Sequence, residues 1–277
     1  MASRIVRGVA LITGAASGIG KDTAFSFAES GARHVVFADQ DESGAHEAAL
    51  SSNKYATNAD YSTSSIKVDV TDLASVQVMV DRVIRDQGRI DYFVHSAGIG
   101  SQSFTPVSEL SIAEFDEVMG VNMKGTLLCN RAVLKAMGLQ EPLSFEGRHG
   151  QRDLGRGCIV NVGSVNCLGA LPGKLPYTAS KHGVAAITKT AALETGRLGI
   201  RVNLVCPSWV VGPMTDREKI KNPQLEGMIQ KLVPCGRMAM PDEISDAIVF
   251  LCSPAASYIS GMTIVIDSGL TLTVRFD

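Results

Sequence analysis

Apolar, β-branched runs alternate along the chain with longer stretches in which apolar residues recur every three or four positions. The runs at 8–12, 34–38, 65–68, 91–95, 158–162, 200–205 and 263–266 predict strands. The segments 18–30, 72–87, 112–137, 176–198 and 241–252 predict helices. Several of the strand runs lack polar alternation, as expected when helices cover both faces of a sheet. Strand and helix in alternation predict an α/β fold with a doubly wound parallel sheet. No linker or internal repeat divides the chain, so residues 1–277 are expected to form one domain.

Two segments interrupt the rhythm. Residues 140–157, QEPLSFEGRHGQRDLGRG, are polar, rich in glycine and arginine, and have no apolar period. They are expected to form a long surface insertion loop. Residues 213–240 carry Met214, Leu225, Met228, Ile229, Leu232 and Met238 among three prolines. The spacing at 225, 228, 229 and 232 suits an amphipathic helix, over a ligand or in plain core packing.

Composition narrows the class. The 277 residues are 45% hydrophobic and 19% charged, with a net charge of −2. That charge gives no footprint for nucleic acid or an anionic membrane. No stretch approaches the roughly 20 apolar residues of a membrane span. Met1 to Gly8 is too short and too polar for a signal peptide. The six cysteines form no CxxC pair and have no metal-ligand spacing, so no metal is expected and all six are read as reduced. A cytoplasmic protein is expected. Cys167, three residues after Ser164, could border a substrate pocket, but packing in the core is favoured.

Candidate chemistry starts at the first strand, which runs into Thr13-Gly14-Ala15-Ala16-Ser17-Gly18-Ile19-Gly20 and then a helix. Glycines at a strand-to-helix turn let backbone approach a pyrophosphate, and the helix start supplies N–H donors and a favourable dipole. Asp39 ends the second strand, 19 residues beyond Gly20. An acidic residue at about 20 residues accepts hydrogen bonds from the adenosine ribose. It also repels a 2′-phosphate, and Gln40 rather than an arginine follows, so NAD is favoured over NADP. Asp69, with Val70 beside it, could accept a hydrogen bond from the adenine amino group.

A second constellation lies in the other half. Tyr177-Thr178-Ala179-Ser180-Lys181 sets a phenol and an ammonium one helical turn apart. A neighbouring lysine is expected to lower the phenol pKa from about 10, so that the tyrosine exchanges a proton near neutral pH. Ser164 ends the buried run 158–162 and could hold the same substrate oxygen. Alone, the YxxxK pattern is short and equally fits a surface helix; its setting raises its weight.

In this order the motifs resemble those of the short-chain dehydrogenase/reductase family, from about residue 8 to about residue 270. TGAASGIG at 13–20 matches the family's TGxxxGxG. His95-Ser96-Ala97-Gly98 stands where the family has NNAG, and Asn122 matches its catalytic asparagine. Ser164, Tyr177 and Lys181 match its serine and YxxxK. Cys206-Pro207-Ser208-Trp209-Val210 matches its PG segment, with Ser208 in place of the glycine and Gly212 where many members carry threonine. The insertion at 140–157 further resembles fungal members, some of which serve secondary metabolism.

The resemblance implies a single-domain Rossmann-like fold and reversible hydride transfer between NAD(H) and a secondary alcohol or ketone. It implies Asn122, Ser164, Tyr177 and Lys181 as the catalytic set, with Asn122 holding a water that relays protons to Lys181. Gly14, Ser17, Gly18, Ile19, Gly20, Asp39, Asp69, Val70, Ala97, Gly98, Pro207 and Val210 are expected at the cofactor, with Tyr177 and Lys181. It implies a substrate lid at 213–240. Val165, Leu168, Trp209 and Met214 suggest a bulky apolar substrate, terpenoid or polycyclic. It also implies a homotetramer, or else a dimer, through helices 112–137 and 176–198, with Val184, Ile187, Ala191 and Ala192 adding apolar area. Two alternatives differ in outcome: an isomerase, epimerase or dehydratase that returns NAD unchanged, and an NAD-binding scaffold without catalysis.

Overall fold

The computed structural model of the chain describes residues 6–272. Met1 to Ile5, part of the segment judged too short for a signal peptide, and residues 273–277 lie outside the described residues. The first half runs β1 (Val9–Thr13), α1 (Gly18–Glu29), β2 (His34–Asp39), α2 (Glu42–Ser52), β3 (Ser62–Lys67), α3 (Leu73–Gln87) and β4 (Tyr92–His95). The second half begins with α4 (Ile112–Val118), a π-helical turn (Met119–Lys124), α5 (Gly125–Leu139), β5 (Leu143–Gly147), β6 (Gly150–Gly155) and β7 (Gly157–Val162). It ends with α6 (Leu175–Thr195), β8 (Ile200–Pro207), α7 (Pro213–Lys221), α8 (Leu225–Leu232), α9 (Pro241–Cys252) and β9 (Thr263–Ile266).

Seven strands pair in the order β3-β2-β1-β4-β7-β8-β9, and every pairing is parallel. The order reverses between β1 and β4, which opens a crevice at the carboxyl ends of the strands. Alternate residues of each strand serve opposite faces. Ala10 and Ile12 pack with Phe27, Phe37, Ile244 and Ile248 under α1 and α9. Val9 and Leu11 pack with Val76, Met79, Val83 and Val133 under α3 and α5. This double cover is why β1 reads VALIT with every residue buried. Phe27, Phe37 and Phe93 are fully buried, and cutting any one back to alanine is expected to cost roughly 3–5 kcal/mol.

Four features differ from the sequence-based expectation. β3 starts at Ser62, ahead of the apolar pair that marked it, because an edge strand needs little apolar cover; Thr63 Oγ1 donates to Val35 O at 3.1 Å. α2 gave no strong period, because its buried face is made of Ala45, Ala48, Ala49 and Ser52. Its start is set by Asp41, whose carboxylate accepts from Gly44 N at 3.0 Å. The helix expected over 112–137 is interrupted by the π turn, and Asn122 lies within it. The insertion at 140–157 is a hairpin rather than a loop: β5 and β6 pair antiparallel. Arg152 ties the hairpin down, with its guanidinium 5.1 Å from the Phe145 ring centroid and Nη2 donating to Pro254 O at 2.7 Å.

Val184, Ala191 and Ala192, expected to offer apolar area to a second subunit, are buried within the chain's own core. The apolar side chains that α5 and α6 do expose include Leu127 and Leu193. Among the described residues no helix is long and apolar enough to cross a membrane.

Candidate active site

A cleft of about 460 Å³ lies at the carboxyl end of the sheet, within the usual size of small-molecule sites. One end is built by the turn between β1 and α1. Gly14 has φ +70°, and a side chain there would stand 2.7 Å from Ala97 N, so both conformation and space call for glycine. A side chain at Gly20 would collide with the Gly14 carbonyl, so this glycine lets the helix sit tightly on the turn. Gly20 itself does not line the cleft; Gly14, Ser17, Gly18 and Ile19 do. Ser17 precedes α1 and makes no side-chain cap bond, so the N–H groups at the helix start keep their capacity for an anion.

Asp39, at the end of β2, closes this end of the cleft. Its Oδ2 accepts from Ala16 N and its Oδ1 from Asp41 N, each at 3.0 Å. Asp69 and Val70 line the next stretch. The Asp69 carboxylate accepts from Thr71 Oγ1 at 2.7 Å and Thr71 N at 2.9 Å, which holds its pKa below the ordinary carboxylate range. Ala97, Gly98, Pro207 and Val210 complete the wall. His95, just before this wall, turns inward: its Nδ1 is 2.9 Å from Thr13 Oγ1, and burial pushes its pKa down to about 3. A ring held neutral in this way packs the core and carries no charge to the cleft.

Ser164, Tyr177 and Lys181 form the other end. Ser164 follows β7 and lines the cleft with Tyr177, and its hydroxyl accepts from Asn166 N at 3.2 Å. α6 places Tyr177 and Lys181 on one face, and Lys181 Nζ lies 5.5 Å from the tyrosine ring centroid. Nζ donates to Val162 O at 2.9 Å, and burial lowers its pKa from the ordinary lysine value. The net shift of the phenol is upward, against the expectation from spacing. Burial dominates and pushes the Tyr177 pKa up to about 12, while the neighbouring Ser164 hydroxyl pulls it back.

Asn122 sits behind this group rather than in the cleft wall. Its Oδ1 accepts from Ile99 N at 2.8 Å, and its Nδ2 donates to Ile99 O at 2.9 Å and Ser180 Oγ at 3.0 Å. The side chain therefore joins the segment after β4 to α6. A methyl group at Gly98 would stand 3.2 Å from Asn122 Oδ1 and 3.8 Å from Lys181 Nζ, so the three are close neighbours.

Of the four residues expected at a substrate, Met214 lines the cleft and Val165, Leu168 and Trp209 do not. Trp209 packs instead on Leu225, Ile229 and Val233, which satisfies its apolar surface. Leu168 is exposed, and Val165 is half-buried in the turn after Ser164. Cys167 faces inward, its sulfur donating to Lys181 O at 3.0 Å. Gln40, Ile99, Val211 and Arg217 also line the cleft and were not anticipated. Gln40 stood beside Asp39 in the reading, and its neighbour's role was the available signal; Arg217 had none, because its position depends on the path of α7. Among the described residues no group of three or more His, Cys, Asp or Glu is arranged to hold a metal ion.

Comparisons with known proteins agree on one family. The family described as enoyl-(acyl carrier protein) reductase matches residues 14–271. Short-chain dehydrogenase anuF of Penicillium roqueforti (strain FM164) is 42% identical over 270 residues, covering 98% of each chain. D-threitol dehydrogenase of Mycolicibacterium smegmatis (strain ATCC 700084 / mc(2)155) is 38% identical over 266 residues, covering 95% of this chain and 93% of that protein. The crystal structure of levodione reductase is similar with a TM-score of 0.86 at 32% identity, covering 96% of this chain and 98% of that one. The cleft at the sheet's switch point, the glycine turn and these full-length similarities together mean that the chain belongs to the short-chain dehydrogenase/reductase family of oxidoreductases.

Proposed function

We propose that the protein interconverts a secondary alcohol and a ketone with NAD(H), using Tyr177 as the acid and base. The observation that carries this reading is that Ser164, Tyr177 and Lys181, with Lys181 Nζ 5.5 Å from the tyrosine ring, line the same cleft as the glycine turn and Asp39. The donor set suits a dinucleotide. Gly14 makes room for backbone contact, the start of α1 offers N–H groups to a pyrophosphate, and the Asp39 carboxylate suits ribose hydroxyls and disfavours a 2′-phosphate. NAD, when bound, supplies hydride exchange at its nicotinamide ring and, when oxidised, a positive charge that favours the phenolate.

In oxidation Tyr177 takes the hydroxyl proton, and in reduction it returns a proton to the forming alkoxide. Ser164 holds the substrate oxygen and stabilises charge developing on it. Lys181 supports the phenolate and binds ribose hydroxyls. Asn122 fixes the segment after β4 against α6 and, through a bound water, connects Lys181 to solvent. Bringing the phenol from about 12 to about 8 requires roughly 5 kcal/mol of differential stabilisation. An exposed ion pair supplies about 0–1 kcal/mol, so the burial of Lys181 is part of the mechanism. The apolar wall at Ile99, Val211 and Met214 supports a bulky, largely apolar substrate. The fungal short-chain dehydrogenase similarity supports a place in secondary metabolism. Segment 213–240 acts as a lid, and the chain assembles as a homotetramer.

The test is an absorbance assay near 340 nm across a panel of alcohols with NAD and ketones with NADH. Turnover is expected in the wild type, and Tyr177→Phe is expected to lose roughly 10²–10⁴-fold while still binding NADH. Undiminished turnover in Tyr177→Phe would sink the assignment.

A further inference from the structure

α7 is held over the cleft by polar ties rather than by an apolar face. Of its residues only Thr215 is buried, yet Gly212, Pro213, Met214, Thr215 and Arg217 all line the cleft. One ion pair to the neighbouring elements is Glu218 Oε1 to Lys174 Nζ at 2.9 Å, with side chains only 27% and 12% exposed. Lys174 immediately precedes α6, three residues before Tyr177. Its Nζ also lies 4.3 Å from the Phe104 ring centroid, on the segment after β4. That segment is joined to the approach to α6 by Thr105 N donating to Gly173 O at 3.3 Å, and to α7 by Lys221 Nζ donating to Gln102 O at 2.8 Å. Lys174 is therefore the point where α7, the segment after β4 and the start of the tyrosine helix meet.

We propose that the Lys174–Glu218 pair is a latch that holds α7 closed over the cleft and sets how fast the nicotinamide cofactor enters and leaves. An ion pair suits this job. It is directional and sheltered, so it counts for more than a fully exposed pair, and it opens without exposing a core. The two are positioning residues. They act through α7 and through the segment that leads to Tyr177, whose phenol also feels the Glu218 carboxylate. The cofactor half of this inference rests on the NAD(H) reading above; the mechanical half does not.

The test compares wild type, Glu218→Gln, Lys174→Gln and the charge-exchanged double variant Lys174→Glu/Glu218→Lys. The first readout is amide hydrogen exchange over residues 213–221 in ligand-free protein. The second is the dissociation rate of NADH followed by its fluorescence. Each single variant is expected to speed both about fivefold, and the exchanged pair to return both to within about twofold of wild type. Unchanged α7 exchange in the single variants overturns the latch. So does an exchanged pair that stays as fast as the single variants, because that marks packing rather than charge. If the wild type binds no NADH, the cofactor reading fails while the exchange data still decide the latch.

Discussion

Asp39 is tied to Ala16: its Oδ2 accepts the Ala16 backbone N–H at 3.0 Å, across from the end of β2 to the glycine turn. One carboxylate thus braces the turn and presents negative charge to the cleft. A phosphate beside it would bring like charges together at a cost that grows as the site excludes water. Asp39→Ser with Gln40→Arg is expected to shift the ratio of NADPH to NADH affinity by at least about tenfold toward NADPH. Fluorescence titration with each cofactor checks it. An unaltered ratio would mean that Asp39 serves the turn alone.

The desolvated phenol makes a spectroscopic prediction. With its pKa at about 12, Tyr177 stays protonated in the cofactor-free protein at pH 10. Adding NAD at that pH is expected to raise phenolate absorbance near 295 nm by about one tyrosine's worth, because the oxidised ring brings positive charge. NADH, which lacks that charge, is expected to give a much smaller signal. Both signals should vanish in Tyr177→Phe.

Much of this arrangement is legible in the sequence, and the exceptions have physical causes. Gly14, Gly20 and Asp39 were readable because a turn under strain and a strand-end carboxylate have few substitutes at those positions. β1 was readable because burial on both faces leaves an apolar run, and β7 and β8 because apolar, β-branched residues dominate them around Asn161, Arg201 and Asn203. α2 escaped because alanines bury too little area to make a strong period, and the 140–157 hairpin escaped because its strands pair mainly with each other. Trp209 was misjudged for a different reason. A sequence cannot say which of two apolar surfaces claims a ring, and here the helix α8 does. The Tyr177 pKa failed likewise: spacing gives the distance between two groups but not the loss of water around them.

Assembly is open to a direct check. α5 and α6 expose Leu127 and Leu193, at 50% and 86% exposure. In the proposed assembly these helices form the subunit contact, where a carboxylate at Leu193 would be buried without a partner. Leu193→Asp is expected to convert the proposed tetramer to a species of one or two chains, read by light scattering. A Leu193→Asp protein with unchanged mass would place the contact elsewhere.

Two buried histidines are expected to contribute to acid sensitivity. His34 is bonded through its ring nitrogens to Ser62 Oγ at 2.7 Å and Ser64 Oγ at 2.9 Å, and burial lowers its pKa to about 4. His95 is lowered further, to about 3, again chiefly by burial. Both rings fold neutral, so the unfolded chain binds more protons as the pH drops below about 6.5. Their contribution to stability is therefore complete above about 6.5 and is lost progressively as the pH falls toward the folded values. Between pH 7.5 and 4.5 the loss is roughly 2 kcal/mol per histidine. His34→Gln/His95→Asn keeps polar groups at both sites but removes the titration. Urea unfolding at the two pH values is expected to show a drop smaller than that of the wild type by a few kcal/mol. An equal drop in both proteins would assign the acid sensitivity to carboxylates held below their ordinary range in the fold, of which Asp267, accepting from Thr271 N at 2.7 Å and Gly269 N at 2.9 Å, is one.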